Sequence, residues 1–178
     1  NYRDSEALDL LIANKDRVYV GPAIAWEIAF LENAEKMGYK SDSREVIEYQ
    51  KEVEETITSY KKMKEAGIKI LVGGDYGLDI APHGTYAKDL EHYVNLFGFS
   101  NAEALHSATS LGGEAMGNDG LLGTLEEGKL ADLVIIDGNP LEDITVLQNH
   151  KNIKAVMKDG LIYQGLTNKK NPYLNENL

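Results

Sequence analysis

The sequence contains no cysteine among its 178 residues, which excludes disulfide bonds and thiolate metal ligands. It also lacks an apolar run long enough to cross a membrane. Basic clusters are limited to two lysine pairs, Lys61-Lys62 and Lys169-Lys170, and the net charge is −11. The composition therefore argues against nucleic acid and anionic membrane surfaces as partners.

No signal peptide precedes the first helical pattern, and the chain starts at Asn1 without a methionine. These features favour a fragment or a processed chain, with the cytoplasm as the favoured location. The length allows a sizeable core. It is too short for a complete (β/α)8 barrel, which takes about 250 residues.

The most informative stretch is an apolar segment, residues 68–72, that ends in Gly73-Gly74-Asp75. In parallel α/β architectures, ligands and catalytic groups gather at the carboxyl ends of strands, and glycines let the backbone turn there. Asp75 is therefore the best single candidate for a catalytic group. The local sequence leaves an alternative open, since aspartate also caps helices and starts turns.

The pattern around this stretch predicts a parallel α/β unit. A possible capping box at Asp42 and Glu45 opens an amphipathic helix that runs to Ala66, and the strand follows within a residue. Further elements are predicted before and after it: a strand at 17–20, helices at 23–37 and 86–97, and a helix from a second capping box at Ser100 through Leu111.

Glycines become frequent after about Gly117, and the helical period disappears. Strands are predicted at 133–136, 153–157 and 161–163, the last two joined by an Asp159-Gly160 hairpin turn. The chain thus divides into an α/β segment (1–117), a β-rich segment (118–166) and a polar tail (167–178).

Several motifs occur in an order that resembles a known family. They are Gly73-Gly74-Asp75, residues 82–84 (PHG), 102–109 (AEALHSAT), 122–137 (LGTLEEGKLADLVIID) and 156–160 (VMKDG). The sequence is similar to the C-terminal part of a metal-dependent amidohydrolase, in the imidazolonepropionase-like and Xaa-Pro-dipeptidase-like branch. The resemblance covers about residues 1–165, and the 122–137 motif is the most specific.

The resemblance implies a fold and a role for Asp75. The segment 1–117 would supply the last strands, seven and eight, of a (β/α)8 barrel, and 118–166 a small β-sandwich. Asp75 would lie beside a divalent metal, zinc being the expected ion, and would handle the proton of the attacking water. A divalent cation lowers the pKa of bound water, and a nearby carboxylate can accept its proton and pass it to the leaving nitrogen. The substrate would be a small amide, peptide or cyclic amide.

The family's other metal groups are missing. There is no His-x-His motif, and the four histidines (His83, His92, His106 and His150) fall outside the expected strands. Since a catalytic zinc usually has three protein ligands, we expect this chain alone to bind metal weakly and to turn over nothing. A non-catalytic scaffold or assembly module with the amidohydrolase fold is the alternative interpretation.

Two further expectations follow from the resemblance. The loop that holds His83 and Gly84 would rim the active site, so these residues are candidates for substrate contact, the alternative being a loop histidine with local hydrogen bonds. Two strands of an eight-stranded barrel would leave unpaired edges, so the chain should associate with the missing N-terminal portion or with itself.

Overall fold

A short parallel pair of strands organises the first part of the chain. The computed structural model describes residues 5–165. Strand β1 (Tyr19–Val20) pairs in parallel with β2 (Lys69–Ile70), and the Leu71 amide extends the ladder by donating to the Val20 carbonyl at 2.8 Å. Both strands are shorter than the apolar patterns at 17–20 and 68–72 predicted. Parallel neighbours need a crossover connection, and here helices provide it.

The crossover consists of α2 (Ile24–Asn33) and α3 (Arg44–Glu65), and α1 (Ser5–Ala13) precedes β1. The prediction that Asp42 caps α3 is wrong by one residue. Ser43 has the extended backbone of a cap, and its hydroxyl accepts from the Val46 amide at 3.4 Å. Gly67, in the left-handed conformation at φ +75°, follows the helix and permits the abrupt entry into β2.

Helix α4 (Lys88–Phe97) follows β2 after a long loop and ends at Gly98, whose left-handed φ of +73° matches the prediction. The capping box at Ser100 and Glu103 is also present and opens α5 (Asn101–Ala108). The predicted single helix through Leu111 is wrong, because the backbone breaks at Thr109 (φ −123°, ψ −91°) before α6 (Ser110–Ala115).

The core lies between the helices and one face of the β1–β2 pair. Its buried members come from α2, α3, both strands, α4 and α5, with one residue from the β-rich segment. They are Val20, Ile24, Val53, Tyr60, Met63, Ile68, Ile70, Leu90, Tyr93, Phe97, Ala104 and Ile144. Burial of this apolar surface holds the strands against the helices.

A separate three-stranded antiparallel sheet contains β3 (Leu133–Ile136), β4 (Ile153–Lys158) and β5 (Leu161–Gly165), in the order β3-β4-β5. The turn between β4 and β5 is the predicted hairpin, with Asp159 at φ +49° and Gly160 at φ +74°. Two 3-10 helices, Ile144–Gln148 and His150–Asn152, were not predicted. Between residues 5 and 165, the structure contains no helix with the length and apolarity needed to cross a bilayer.

Candidate active site

Asp75 lies five residues beyond β2, at the carboxyl end of the parallel pair. Ile70 and Gly74 are buried, Leu71 and Val72 are half-buried, and Gly73 and Asp75 are exposed. The segment from Leu71 to Asp75 thus leads from the buried end of β2 to the surface of the described part of the chain.

The backbone of Asp75 has the left-handed conformation, with φ +53°. Within residues 5–165, Asp159 is the only other non-glycine residue with positive φ. Such a conformation costs roughly 1–2 kcal/mol for residues other than glycine, although aspartate and asparagine tolerate it best. The interpretation of Asp75 as a helix cap is wrong, because α4 begins thirteen residues later and Ala87 occupies its cap position.

Residues 71–86, which include Asp75, form a loop that we call the Asp75 loop. Aromatic side chains of this loop pack against one another. The Tyr76 ring meets the Tyr86 ring edge-on, with centroids 4.8 Å apart. The Tyr86 hydroxyl and His83 Nδ1 are 2.8 Å apart, within hydrogen-bond distance. Edge-to-face contacts of this kind stabilise a loop beyond the area that they bury.

The two predicted substrate-contact residues lie on this same loop. The His83 imidazole is exposed and lies against the backbone of Gly77, since a Cβ built there would be 3.1 Å from His83 Nε2. Gly84 is exposed, has a φ of +93° and has open space where a side chain would start. The structure thus brings both residues onto the loop of Asp75, and Tyr86 links His83 to Tyr76, the neighbour of Asp75.

Helix α4 supports the Asp75 loop from beneath with two polar side chains one turn apart. The Tyr93 hydroxyl donates to the Leu71 carbonyl at 2.5 Å, and the Tyr93 side chain is fully buried. Asp89, in the first turn of the helix, is 1% exposed. A Cβ added to Gly74 would be 2.4 Å from the Tyr76 ring and 2.8 Å from Asp89 Oδ2, so both side chains press on the Gly74 α-carbon.

The pKa values of these supporting groups are displaced mainly by burial. Burial raises the pKa of Asp89 from its ordinary 3.8 to about 6, because the charged carboxylate loses its hydration. Burial also raises the pKa of Tyr76, and the nearby Asp89 carboxylate raises it further. Tyr76 therefore remains neutral over the physiological range, whereas Asp89 changes charge near pH 6.

The described residues do not by themselves hold a metal ion. Between residues 5 and 165, no group of three or more histidine, cysteine, aspartate or glutamate side chains could do so. Asp75 supplies one carboxylate, whereas catalytic zinc usually takes three protein ligands.

Comparison with known proteins identifies the family. The sequence model of the amidohydrolase family matches residues 5–162. This chain belongs to the amidohydrolase family. Its relatives among solved structures, prolidases and an Xaa-Pro dipeptidase, place it in the prolidase-like branch and confirm the resemblance.

The relatives share this amidohydrolase fold over most of the chain. The ochratoxinase of Aspergillus niger is 31% identical over 166 residues, which are 93% of this chain and 33% of that protein. A Xaa-Pro dipeptidase with methionine bound in the active site is 35% identical, with a TM-score of 0.72 over 91% of this chain and 38% of that one. A prolidase in complex with N-methylphosphonate-L-proline is 27% identical, with a TM-score of 0.75 over 92% of this chain and 38% of that one. The chain thus spans about a third of the length of the curated relatives it matches.

Sequence reasoning missed the residues that support the Asp75 loop. Asp89 looks like an ordinary acidic residue in the first turn of a helix, where the helix dipole favours negative charge at the surface. One signal was available. Asp89 and Tyr93 are four residues apart, so they share one face of the helix, and the buried Leu90 and Phe97 lie on the same side.

Proposed function

We propose that this chain is the C-terminal portion of a metal-dependent amidohydrolase that hydrolyses a C–N bond in a small amide or dipeptide-like substrate. In this proposal, residues 1–117 supply the last two strands of a (β/α)8 barrel and 118–166 contribute to a small β-sandwich. The observation that carries the proposal is the exposed, left-handed Asp75 at the carboxyl end of β2 in a chain of this family. Active sites of (β/α)8 enzymes lie at that end of the strands.

Asp75 acts as the general acid and base in this proposal. Its carboxylate accepts a proton from the attacking water and then donates that proton to the leaving nitrogen. A divalent metal, zinc being the expected ion, would activate the water when bound, with ligands that lie mainly outside this chain. One oxygen of the Asp75 carboxylate would be a further ligand of this metal.

His83 and Gly84 would contact the substrate. The Tyr86 hydroxyl lies within hydrogen-bond distance of His83 Nδ1, and this contact favours one orientation of the imidazole ring. Gly84 has no side chain and open space around its α-carbon, so a substrate backbone could approach it closely. A dipeptide-like substrate is supported by the prolidase and Xaa-Pro dipeptidase among the relatives.

The remaining part of the barrel, or a second copy of the chain, is the proposed partner. Within residues 5–165, the β1–β2 pair has no third strand. An open groove of about 490 Å³ lies where the chain leaves β2, lined by Leu71 and Val72 and by small residues of α5 and α6 such as Ala108, Gly112 and Ala115. Small residues let another backbone approach closely, which suits a further strand and its packing.

The test is a hydrolysis assay on the complete enzyme encoded with this chain, with a panel of Xaa-Pro dipeptides and N-acyl amino acids. We expect hydrolysis that is lost on chelation and restored by zinc, and a loss of at least about 100-fold in kcat for Asp75→Asn, the scale of general acid–base catalysis. Full activity of Asp75→Asn would refute the assignment. An inactive complete protein would favour the scaffold interpretation instead.

The 178-residue chain alone supplies a second test. We expect it to bind zinc weakly and to show no hydrolysis, and to associate with itself or with the rest of the barrel. Stoichiometric zinc together with activity, or a monodisperse monomer in sedimentation, would contradict this part of the proposal.

A further inference from the structure

Asp89 is a fully buried carboxylate that the proposed chemistry does not use. It is 1% exposed, and within residues 5–165 its carboxylate has no basic ion-pair partner. The Tyr76 hydroxyl is a polar neighbour, and this interaction lowers the pKa of Asp89 by less than burial raises it. A buried carboxylate in such a place destabilises the fold relative to an apolar side chain of similar size. Packing alone therefore gives no reason for an aspartate at this position.

The surroundings of Asp89 show what it contacts. Its Oδ2 lies over the α-carbon of Gly74, at 2.8 Å from where a Cβ would be. The Tyr76 hydroxyl lies beside both the backbone amide and the carboxylate of Asp89, at the start of α4. Asp89 thus touches the residue before Asp75 and the residue after it.

Asp75 needs such support because its own conformation is unfavourable. A left-handed aspartate would populate other backbone conformations unless its neighbours held it. Tyr93, one turn along the same helix face, holds the loop further back by its bond to the Leu71 carbonyl. Helix α4 therefore fixes the loop at Leu71, Gly74 and Tyr76.

We propose that Asp89 is a positioning residue for Asp75, acting through its contacts with Gly74 and Tyr76. It fixes the backbone on both sides of Asp75 and so directs the Asp75 carboxylate toward the substrate. The inference rests on the proposed function, since it assumes that Asp75 is catalytic. Asp89 itself touches neither substrate nor reacting atoms in this account.

The test uses Asp89→Asn in the complete enzyme, with Glu91→Gln as the matched control. Glu91 is the other acidic residue in the first turn of α4, and its carboxylate accepts from Gln148 Nε2 at 2.7 Å, away from the loop. We expect Asp89→Asn to lower kcat about tenfold or more and to leave KM within about twofold, because a small misplacement of a catalytic group slows the chemical step. Glu91→Gln should change neither.

A second variant separates positioning from a general loss of folded enzyme. Tyr76→Phe removes the hydroxyl beside Asp89 and keeps the ring against Tyr86. If both act through one contact, the double variant should be no slower than Asp89→Asn, whereas independent losses of stability would add. Additive losses, or an Asp89→Asn enzyme with the kcat of Glu91→Gln, would overturn the inference.

Hydrogen–deuterium exchange on the same preparations separates this inference from the proposed function. We expect faster exchange of the peptide over residues 71–78 in Asp89→Asn and no change in Glu91→Gln. Unchanged exchange would refute the positioning role even if Asp75→Asn is inactive. Faster exchange with an active Asp75→Asn would show that Asp89 holds the loop but that Asp75 is not the catalytic group, so the proposed function would fail.

Discussion

Two aspartates in this structure share an unusual backbone conformation but stand in very different surroundings. Asp159 (φ +49°) precedes Gly160 (φ +74°) in the tight turn between β4 and β5. Asp75 (φ +53°) follows Gly74 in a segment that belongs to no hairpin and no helix cap. Local turn chemistry explains the first aspartate, because a two-residue hairpin with a type I′ turn requires positive φ at both central positions.

The second aspartate has no such local explanation. At Asp159, the support is a single bond from its amide to Asp132 Oδ1 at 2.6 Å, at the protein surface. At Asp75, the neighbours rest on a buried carboxylate and on the tyrosines of the loop and of α4. The same backbone conformation thus occurs once in a tight turn and once in a loop that rests on buried polar groups, and only the second belongs to the proposed site.

The largest expected difference between the two aspartates is in activity. Asp75→Gly keeps the left-handed backbone but removes the carboxylate, so we expect kcat of the complete enzyme to fall at least about 100-fold. Asp159→Gly should leave kcat unchanged. Steady-state kinetics on both variants checks this, and equal effects at the two positions would remove the functional distinction between them.

The next prediction concerns the pH dependence of stability. The folded-state pKa of Asp89 is about 6 and its ordinary value is 3.8, so its unfavourable effect on folding is absent below pH 3.8 and grows until about pH 6. Asp89→Asn should therefore gain stability relative to the wild-type chain as pH rises from 4 to 6.5. The gain is on the order of 2–3 kcal/mol, because each pKa unit corresponds to about 1.4 kcal/mol.

Denaturant unfolding at several pH values measures this effect. Glu91→Gln is the control, because it removes the other acidic group from the first turn of the same helix. The contrary result is that the free energy of unfolding differs between Asp89→Asn and the wild-type chain by the same amount at every pH in this range. That result would show that ionisation of Asp89 does not destabilise the fold, which would contradict the burial argument.

Gly74 and Gly73 provide a matched pair for the packing beneath the loop. Gly74→Ala would place a methyl group 2.4 Å from the Tyr76 ring and 2.8 Å from Asp89, whereas a methyl group on Gly73 has nothing within 4 Å. We expect Gly74→Ala to lower the free energy of unfolding by about 1–3 kcal/mol, the usual cost of overpacking. Gly73→Ala should be close to neutral in thermal or denaturant unfolding, and a similar loss at both positions would indicate that space is not the cause.

The smallest effect is expected at the hairpin. Asp132→Ala removes the acceptor of the Asp159 amide, which then turns to water, so we expect a loss of about 0.5–1.5 kcal/mol. Activity should not change, because this turn lies in the β-rich segment. A loss of activity without a loss of stability would link the hairpin to the active site and weaken the contrast between the two aspartates.

Much of the fold was predictable from local chemistry. The Gly98 helix end, the Ser100 capping box and the Asp159-Gly160 hairpin were all predicted, because each depends on residues within a few positions of one another. The ends of β1 and β2 were not, since a strand extends only as far as its partner does. The break at Thr109 was missed because the helical spacing of Ala104, Ala108 and Leu111 continues across it.

The candidate site was predictable only in part. Its tip, Asp75, was found because a strand ending in two glycines and a carboxylate is a local pattern, whereas its role stays a prediction. The support beneath it was not found, because the burial of Asp89 depends on its packing against Gly74 and Tyr76, which are more than ten positions away in the sequence. The one local signal is the helix face that Asp89 shares with Tyr93, and this face does not show which loop it packs against.

The parallel pairing of Tyr19 with Lys69 joins positions fifty residues apart. A ribosome adds about 5–20 residues per second, so β1 waits roughly 2.5–10 seconds for its partner to be synthesised. During that interval the β1–β2 pair is incomplete, and apolar side chains of α2 that pack in its core are available to chaperones or to neighbouring chains. The yield of folded protein during synthesis should therefore depend on translation speed and temperature, and this dependence should be stronger than the stability of the finished fold predicts.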